Sequence, residues 1–361
     1  MAQVRNLDAH ETPPAFIKKV YKFYQKISQA ALKTDDGILD FSGGLRATFH
    51  DRISQVDGIP SSRISAACDY LRGGKELPTD FLGSEVKVYE ANNIPGLLLI
   101  PSLVPPDSQI DLLSKLLHRD LADQQHKTNV HLHHQLPYHA SQRPDSFSAL
   151  SGSDCSGTSF FNMSPKSLDL FLPYAENIHK SFTVSQFLNR KLRWVTLGGQ
   201  YDWTQKRYPS ENPPFPADLA SFIHGIFPEM TAEAAIVNIY TPGDTLSIHR
   251  DVSEDSDRGL VSISLGCDGI FVIGLGSEKD AHTKVLSIRL RSGDAVFMTG
   301  QSRFAWHGVP QIIPRTCPDW LCAWPANLDP GEKDERKTGY EAWRGWVSNK
   351  RINLNVRQMN D

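Results

Sequence analysis

From Ala234 to His307 the chain alternates short apolar runs with turn residues, and this series of candidate strands constrains the fold more than any other feature. The runs are Ala234–Tyr240, Leu246–Asp251, Leu260–Leu265, Gly269–Gly274, Val285–Leu290, Asp294–Thr299 and Phe304–His307. Short strands at this spacing predict a sandwich or a jelly roll. Arg291-Ser-Gly-Asp294 reads as a tight turn between two of them.

Chemistry-bearing residues sit on these runs. If Leu246–Asp251 is a strand, His249 and Asp251 leave the same face, because side chains alternate. A His nitrogen and a carboxylate oxygen are two thirds of the facial triad that holds non-haem Fe(II), and His307 is the candidate third ligand. With 13 His and 41 acidic residues in the chain, His-x-Asp alone arises by chance, so the pattern needs support from elsewhere. Two imidazoles and one carboxylate leave three positions of an octahedral iron open, for a 2-oxo acid and O2. A 2-oxo diacid needs cations. The run Arg351-Ile-Asn-Leu-Asn-Val-Arg357 places Arg351, Asn353, Asn355 and Arg357 on one strand face. Arginine forks suit carboxylates. Six extended residues span about 20 Å, so the two arginines cannot grip a small diacid side by side. Arg351 is assigned to its distal carboxylate and Arg357 to the metal end.

The rest of the chain divides into an N-terminal extension, 1–84, partly helical, and a catalytic domain, 85–358, with the jelly-roll core at about 190–358. Thr12-Pro-Pro-Ala reads as a capped helix start, with Phe16, Val20, Phe23 and Ile27 as the apolar face and the helix running to about Ala31. Lys18, Lys19, Lys22 and Lys26 cover much of the other side, as a solvated face or a nucleic-acid contact. Residues 33–82 show no clear period beyond a short helix at Ser61–Arg72. Val86–Tyr89 and Leu97–Ile100 read as strands, and a helix with a broad apolar face follows Pro105. His126, His131, His133, His134 and His139 lie in sequence that reads as an exposed loop. Ser164 begins a helix bearing Leu168, Leu170, Phe171 and Leu172, and Pro216–Phe227 is a short amphipathic helix. Tyr201, Trp203 and Tyr208 are interleaved with Lys206 and Arg207, close to Arg190, Lys191 and Arg193. Aromatics stack bases and cations meet phosphates.

Composition narrows the class. Hydrophobic content of 40%, with 17 Phe and 7 Trp, supplies a globular core. A net charge of -3 excludes a wholesale basic binder but permits a local basic face. No apolar run approaches the roughly 20 residues that cross a bilayer, so no membrane partner is expected. Met1–Glu11 lacks signal- or transit-peptide character. Five scattered cysteines suit a reduced protein of the cytoplasm, the nucleus or both. A monomer is expected.

Taken together, these residues resemble the AlkB family of Fe(II)- and 2-oxoglutarate-dependent dioxygenases, in its eukaryotic AlkB homologue-one branch. The resemblance runs from about Leu192 to Gln358, with weaker similarity back to about Leu97. It rests on Leu192-Arg-Trp-Val-Thr-Leu-Gly with Tyr201 and Trp203, Asn238-Ile-Tyr240, His249-Arg-Asp251, Val261-Ser-Ile-Ser-Leu-Gly266, Ser292-Gly-Asp294, Ser302-Arg-Phe-Ala-Trp-His307 and Arg351–Arg357. It implies an α+β fold: a double-stranded β-helix (jelly-roll) core with flanking helices, here after an N-terminal helical extension. It implies that His249, Asp251 and His307 ligate iron, with no catalytic group beyond these ligands. Asn238, Tyr240, Arg351, Asn353 and Arg357 would bind 2-oxoglutarate. Trp203 would stack on a flipped-out base, with Tyr201, Ser253 and Glu254 beside it. The implied reaction is oxidative demethylation of N-methylated bases in RNA or DNA, N6-methyladenine or methylated tRNA bases, releasing formaldehyde and succinate. Where the bacterial prototype has a base-contacting acid two positions after the metal carboxylate, this chain has Ser253, so substrate preference does not carry over. The family's C-terminal motif commonly has Thr at Asn355. A 2-oxoglutarate hydroxylase of protein or small molecules is the alternative on the same barrel.

Overall fold

The structure, a computed structural model, describes residues 7–8, 10–73, 85–138, 159–202, 208–209, 211–276, 284–326 and 338–360. Among the described residues, fifteen strands are distributed over two large sheets and one hairpin. In chain order they are β1 (Ile38–Leu39), β2 (Ile53–Ile59), β3 (Val86–Ala91), β4 (Leu97–Ile100), β5 (Leu170–Phe171), β6 (Phe182–Thr183), β7 (Trp194–Gly198), β8 (Ala234–Tyr240), β9 (Leu246–His249), β10 (Leu260–Gly266), β11 (Gly269–Leu275), β12 (Lys284–Leu290), β13 (Ala295–Met298), β14 (Trp306–Ile312) and β15 (Arg351–Arg357).

The larger sheet runs β2-β3-β4-β13-β10-β15-β8-β7 and the smaller β1-β12-β11-β14-β9, while β5 and β6 pair apart. Nearly every pairing is antiparallel; β1 alone among the described strands joins its neighbour, β12, in parallel. One apolar cluster takes residues from both sheets, among them Val261, Ile263 and Leu354 from the larger and Phe271, Ile273 and Ile288 from the smaller. The first six strand runs read from the sequence match β8 to β13 within two residues; the seventh, Phe304–His307, overlaps β14 only at Trp306 and His307 and begins in a 3-10 turn, Gly300–Phe304.

Helices cover the outside. Leu219, Phe222, Ile223 and Ile226 of the helix Ala217–Ile226 are buried, at the i, i+3, i+4, i+7 spacing of one helical face. That helix lies against Ser61–Arg72, where the sequence places its short helix. Residues before 85 also enter the sheets: β1 extends the smaller sheet beside β12, and β2 extends the larger beside β3.

Three expectations are corrected. The first helix ends at Lys26, its cap is Pro14 with no side-chain bond, and a second helix, Gln29–Thr34, starts from a Ser28 cap. Its buried face is Ile17, Tyr21 and Tyr24, whereas Phe16 and Phe23 are more than half exposed. Ile17 and Tyr24 join Ile270, Val272 and Trp306 of the smaller sheet in one apolar cluster, with Val20 and Ile27 of the expected face partly buried against it. No helix follows Ser164. Leu168, Leu170 and Leu172 are exposed and only Phe171 is buried, in the β5–β6 hairpin against Phe182. Alternation along an extended chain separates these side chains, which helical spacing would have grouped. The sequence also suggests a Trp-bearing helix around Tyr340–Ser348; the structure has two 3-10 turns there instead, Thr338–Trp343 and Trp346–Asn349.

Candidate metal and cosubstrate site

His249 lies at the end of β9 and His307 near the start of β14, and the antiparallel register sets them directly opposite each other. Their rings are 4.5 Å apart between centroids. Asp251 follows two residues after His249, just past the strand end. Its Oδ1 is 3.6 Å from His249 Nε2 and its Oδ2 3.8 Å from His307 Nε2. Among the described residues this is the one group of three His, Cys, Asp or Glu with donor atoms converging within 4.8 Å.

The tautomers are set as a metal requires. His249 Nδ1 is 2.9 Å from the Ser247 carbonyl and His307 Nδ1 3.0 Å from the Ala305 carbonyl. Each Nδ1–H donates to a backbone oxygen two residues back, leaving the Nε2 lone pair turned toward Asp251. Burial, with His249 as neighbour, brings His307 down to about 4, so it is neutral at ordinary pH. Burial alone would raise the Asp251 carboxyl, but Arg357 and the two histidines hold it well below the usual range. Burial lowers the His249 imidazole, but Asp251 outweighs it and raises its pKa. A bound metal would displace that proton, and two neutral imidazoles with one ionised carboxylate would then fit Fe(II) with open positions.

The cosubstrate face is a row of polar side chains on three neighbouring strands. Register pairs Arg351 with Tyr240 and Gly266, Asn353 with Asn238 and Ser264, and Asn355 with Ser262. Arg351 donates from Nη2 to Ser264 Oγ (2.8 Å), and Asn353 from Nδ2 to Ser262 Oγ (2.8 Å). Arg351 is 2% exposed, and among the described residues no carboxylate forms an ion pair with it. Its Nε, the Tyr240 hydroxyl and Asn355 Oδ1 are buried without a hydrogen-bond partner. A buried cation beside orphaned donors is costly unless an anion completes it. The two donors among them, Arg351 Nε and the Tyr240 hydroxyl, fit the distal carboxylate of a 2-oxo diacid, whereas Asn355 Oδ1 is an acceptor.

Arg357 stands at the other end of the same face, donating from Nη2 to Asp251 Oδ2 (2.8 Å). The two arginines thus stand six residues apart on β15, and Arg357 contacts the metal carboxylate. Asn238 is partly buried on that face, next to Trp194 of β7 in register.

Gly269 permits the packing of Arg351. A Cβ there would stand 2.8 Å from Arg351 Nε and 3.1 Å from Cζ. Gly269→Ala should push the guanidinium aside and weaken 2-oxoglutarate binding roughly 10-fold, on the scale of losing one neutral hydrogen bond. Titration of the metal-loaded variant by calorimetry checks this.

The substrate-side residues are distributed differently. Tyr201 and Ser253 meet, hydroxyl to hydroxyl, at 3.2 Å. The Glu254 side chain is 2% exposed and pairs with Arg303 Nη2 (3.0 Å) and Arg357 Nε (3.4 Å), so the structure directs this carboxylate to arginines. Trp203 lies outside the described residues, as do Lys206 and Arg207. Arg190, Lys191 and Arg193 are exposed. In the histidine-rich stretch the exposed-loop expectation is corrected: His126 and His134 are buried, bonded to the carbonyls of Asp120 and Lys180, while His133 is exposed and His139 lies outside the described residues. These rings satisfy backbone groups of the irregular chain.

Three residues escaped the sequence reading. Ser262 and Ser264 support the cosubstrate face; their signal was a hydroxyl at every second position of a fully buried strand. Arg303 is 1% exposed and donates from Nη1 to the Asp251 carbonyl (2.8 Å) and from Nε to the Arg258 carbonyl (3.0 Å). Nothing in its surroundings, Thr299-Gly-Gln-Ser-Arg-Phe-Ala-Trp306, marks it as buried.

Comparison with known proteins accords with this geometry. The 2OG-Fe(II) oxygenase superfamily matches residues 166–357. The N6-methyladenosine RNA demethylase ALKB1 of Pyricularia oryzae is 44% identical over 98% of this chain and 98% of its own length. The tRNA demethylase abh1 of Schizosaccharomyces pombe is 40% identical over 76% and 82%. The DNA N(6)-methyladenine demethylase ALKBH1A of Arabidopsis thaliana is 36% identical over 50% and 52%. The chain belongs to the 2OG-Fe(II) oxygenase superfamily and, within it, to the AlkB homologue-one branch. It is thus a dioxygenase that uses Fe(II), 2-oxoglutarate and O2.

Proposed function

We propose that this enzyme oxidatively demethylates N-methylated bases in nucleic acid, with N6-methyladenine in RNA as the first substrate to test. One observation carries the chemistry: three converging metal donors meet, through Arg357, a polar face that holds a buried arginine, Arg351, with no anionic partner among the described residues. The nucleic-acid part is supported by relatives named for RNA, tRNA and DNA demethylation, one of them alike over nearly the whole chain.

When bound, iron with 2-oxoglutarate and O2 would supply the oxidising power to hydroxylate an N-methyl group, with release of succinate and CO2, and the hydroxymethyl product would collapse to formaldehyde and the free base. The protein's part is arrangement. His249, His307 and Asp251 would hold the metal, their orientation set by Ser247, Ala305 and Arg357. Arg351, Tyr240 and Asn353 would hold the cosubstrate, with Asn238 beside them. Tyr201 and Ser253 would lie beside the extruded base, on which Trp203, outside the described residues, would stack. The two sheets we read as a double-stranded β-helix, and the compartment as cytoplasmic, nuclear or both. Among the described residues no helix is long and apolar enough to cross a membrane.

The near-neutral charge of -3 keeps a protein or small-molecule hydroxylase as the second reading. The deciding experiment is mass spectrometry of nucleosides from RNA and DNA incubated with the protein, Fe(II), ascorbate and 2-oxoglutarate. Loss of one N-methylated nucleoside names the substrate. Consumption of 2-oxoglutarate with peptide pools alone would favour the second reading.

A further inference from the structure

A chain of buried polar contacts runs from the substrate side of the site to the metal carboxylate. At its centre is Glu254. Its Oε1 accepts from the Tyr208 hydroxyl (3.2 Å) and faces Arg357 Nε at 3.4 Å. Its Oε2 accepts from Arg303 Nη2 (3.0 Å). Arg357 also donates from Nη1 to the Tyr208 oxygen (3.3 Å) and from Nη2 to Asp251 Oδ2 (2.8 Å). Arg303 reaches the backbone of the same ligand, the Asp251 carbonyl. One carboxylate therefore organises both cations that touch Asp251.

The other end of the chain faces outward. Tyr208 and Glu254 line a cavity of about 800 Å3 together with Ser253, Asp255 and Asn212. Tyr208 also meets the ring of Tyr201 edge to face, 5.3 Å between centroids, and Tyr201 is hydrogen-bonded to Ser253. A ligand that moves Tyr201 or Tyr208 must change the hydrogen bonding of Glu254 and Arg357. The side chains of Glu254, Arg303 and Arg357 are each under 5% exposed, so bulk water offers little replacement for a lost bond.

We propose that Tyr208 and Glu254 are positioning residues that couple occupancy of the nucleic-acid side to the hold on Arg357 and Asp251, so that 2-oxoglutarate is bound and consumed productively only with substrate in place. This rests on the demethylase reading above. Coupling of this kind is reciprocal: the nucleic acid tightens the cosubstrate by the factor by which the cosubstrate tightens the nucleic acid.

The test uses the full chain loaded with Mn(II), which occupies a site of this donor set without supporting turnover. 2-Oxoglutarate is titrated by calorimetry with and without a single-stranded RNA carrying one N6-methyladenosine. In the wild type the RNA should tighten 2-oxoglutarate binding about fivefold or more, the lower end of typical coupling. In Tyr208→Phe the factor should fall toward one, and in the iron-loaded variant succinate should exceed formaldehyde more than in the wild type. Glu254→Gln should behave likewise; should the loss of its charge unfold the protein, Tyr208→Phe still decides, because it removes one oxygen. A Tyr208→Phe protein with the full wild-type factor overturns the inference. So does a wild type that demethylates the RNA yet shows no effect of RNA on 2-oxoglutarate binding, a result that leaves the proposed function standing.

Discussion

Asp251→Ala is expected to abolish turnover and, in addition, to destabilise the metal-free protein. The substitution removes one of three metal donors, so iron affinity should fall by more than the roughly 10–100-fold typical of losing an outer hydrogen-bond partner. It also strips Arg357 of the carboxylate that its Nη2 contacts at 2.8 Å, in a side chain only 4% exposed. Breaking a buried pair on one side costs about 3–5 kcal/mol. Bound iron after gel filtration, 2-oxoglutarate consumption and the denaturant midpoint of the metal-free protein are the measurements. A variant that keeps its iron and its turnover would contradict the triad.

Arg351→Met is expected to separate stability from function in the opposite sense. Arg351 is buried, its pKa lowered by that burial, and among the described residues it donates hydrogen bonds to carbonyl and hydroxyl oxygens but makes no ion pair. An apolar side chain of similar length in place of a charge without a counter-ion should leave the ligand-free fold as stable as the wild type or more so. Binding of 2-oxoglutarate should weaken by about 2–5 kcal/mol, roughly 30-fold to a few thousandfold, because a desolvated charge pair is lost. Thermal melts with and without 2-oxoglutarate measure both effects. The wild type should gain stability from the cosubstrate and Arg351→Met should not. A large destabilisation of the ligand-free variant would mean that Arg351 is structural.

The two expectations differ because the two arginines, six positions apart on β15, have different partners. That difference was partly legible in the sequence. Even spacing put Arg351 and Arg357 on one face, and the reach of an extended strand forbade a shared grip on a small diacid. The pairing of Arg357 with Asp251 depends on β9, β14 and β15 meeting across two sheets, and no local pattern encodes that. The strands themselves were legible because apolar runs broken by turn residues leave a period that burial enforces. Glu254 was read as a substrate residue from its distance along the chain to Asp251. Its burial between Arg303 and Arg357 comes from residues 49 and 103 positions away, beyond any local rule. The N-terminal helix was found from its spacing but its face was misjudged. Tyrosines and phenylalanines alternate along it, and only the sheet it packs on selects between them. The stretch after Ser164 failed for a related reason: Leu168, Leu170 and Leu172 fit a helix by composition, yet they are exposed around a two-residue strand.

The most direct test of the central claim is the stoichiometry of one reaction. The protein is incubated with Fe(II), ascorbate, 2-oxoglutarate and an RNA oligonucleotide bearing a single N6-methyladenosine, and adenosine, formaldehyde and succinate are quantified together. A nucleic-acid demethylase built on His249, Asp251 and His307 should yield one adenosine and one formaldehyde for each methyl lost, with succinate at least equal to both, and none of the three above background from Asp251→Ala. Unchanged N6-methyladenosine and other N-methylated nucleosides, alongside succinate formed only in the presence of peptides, would contradict it.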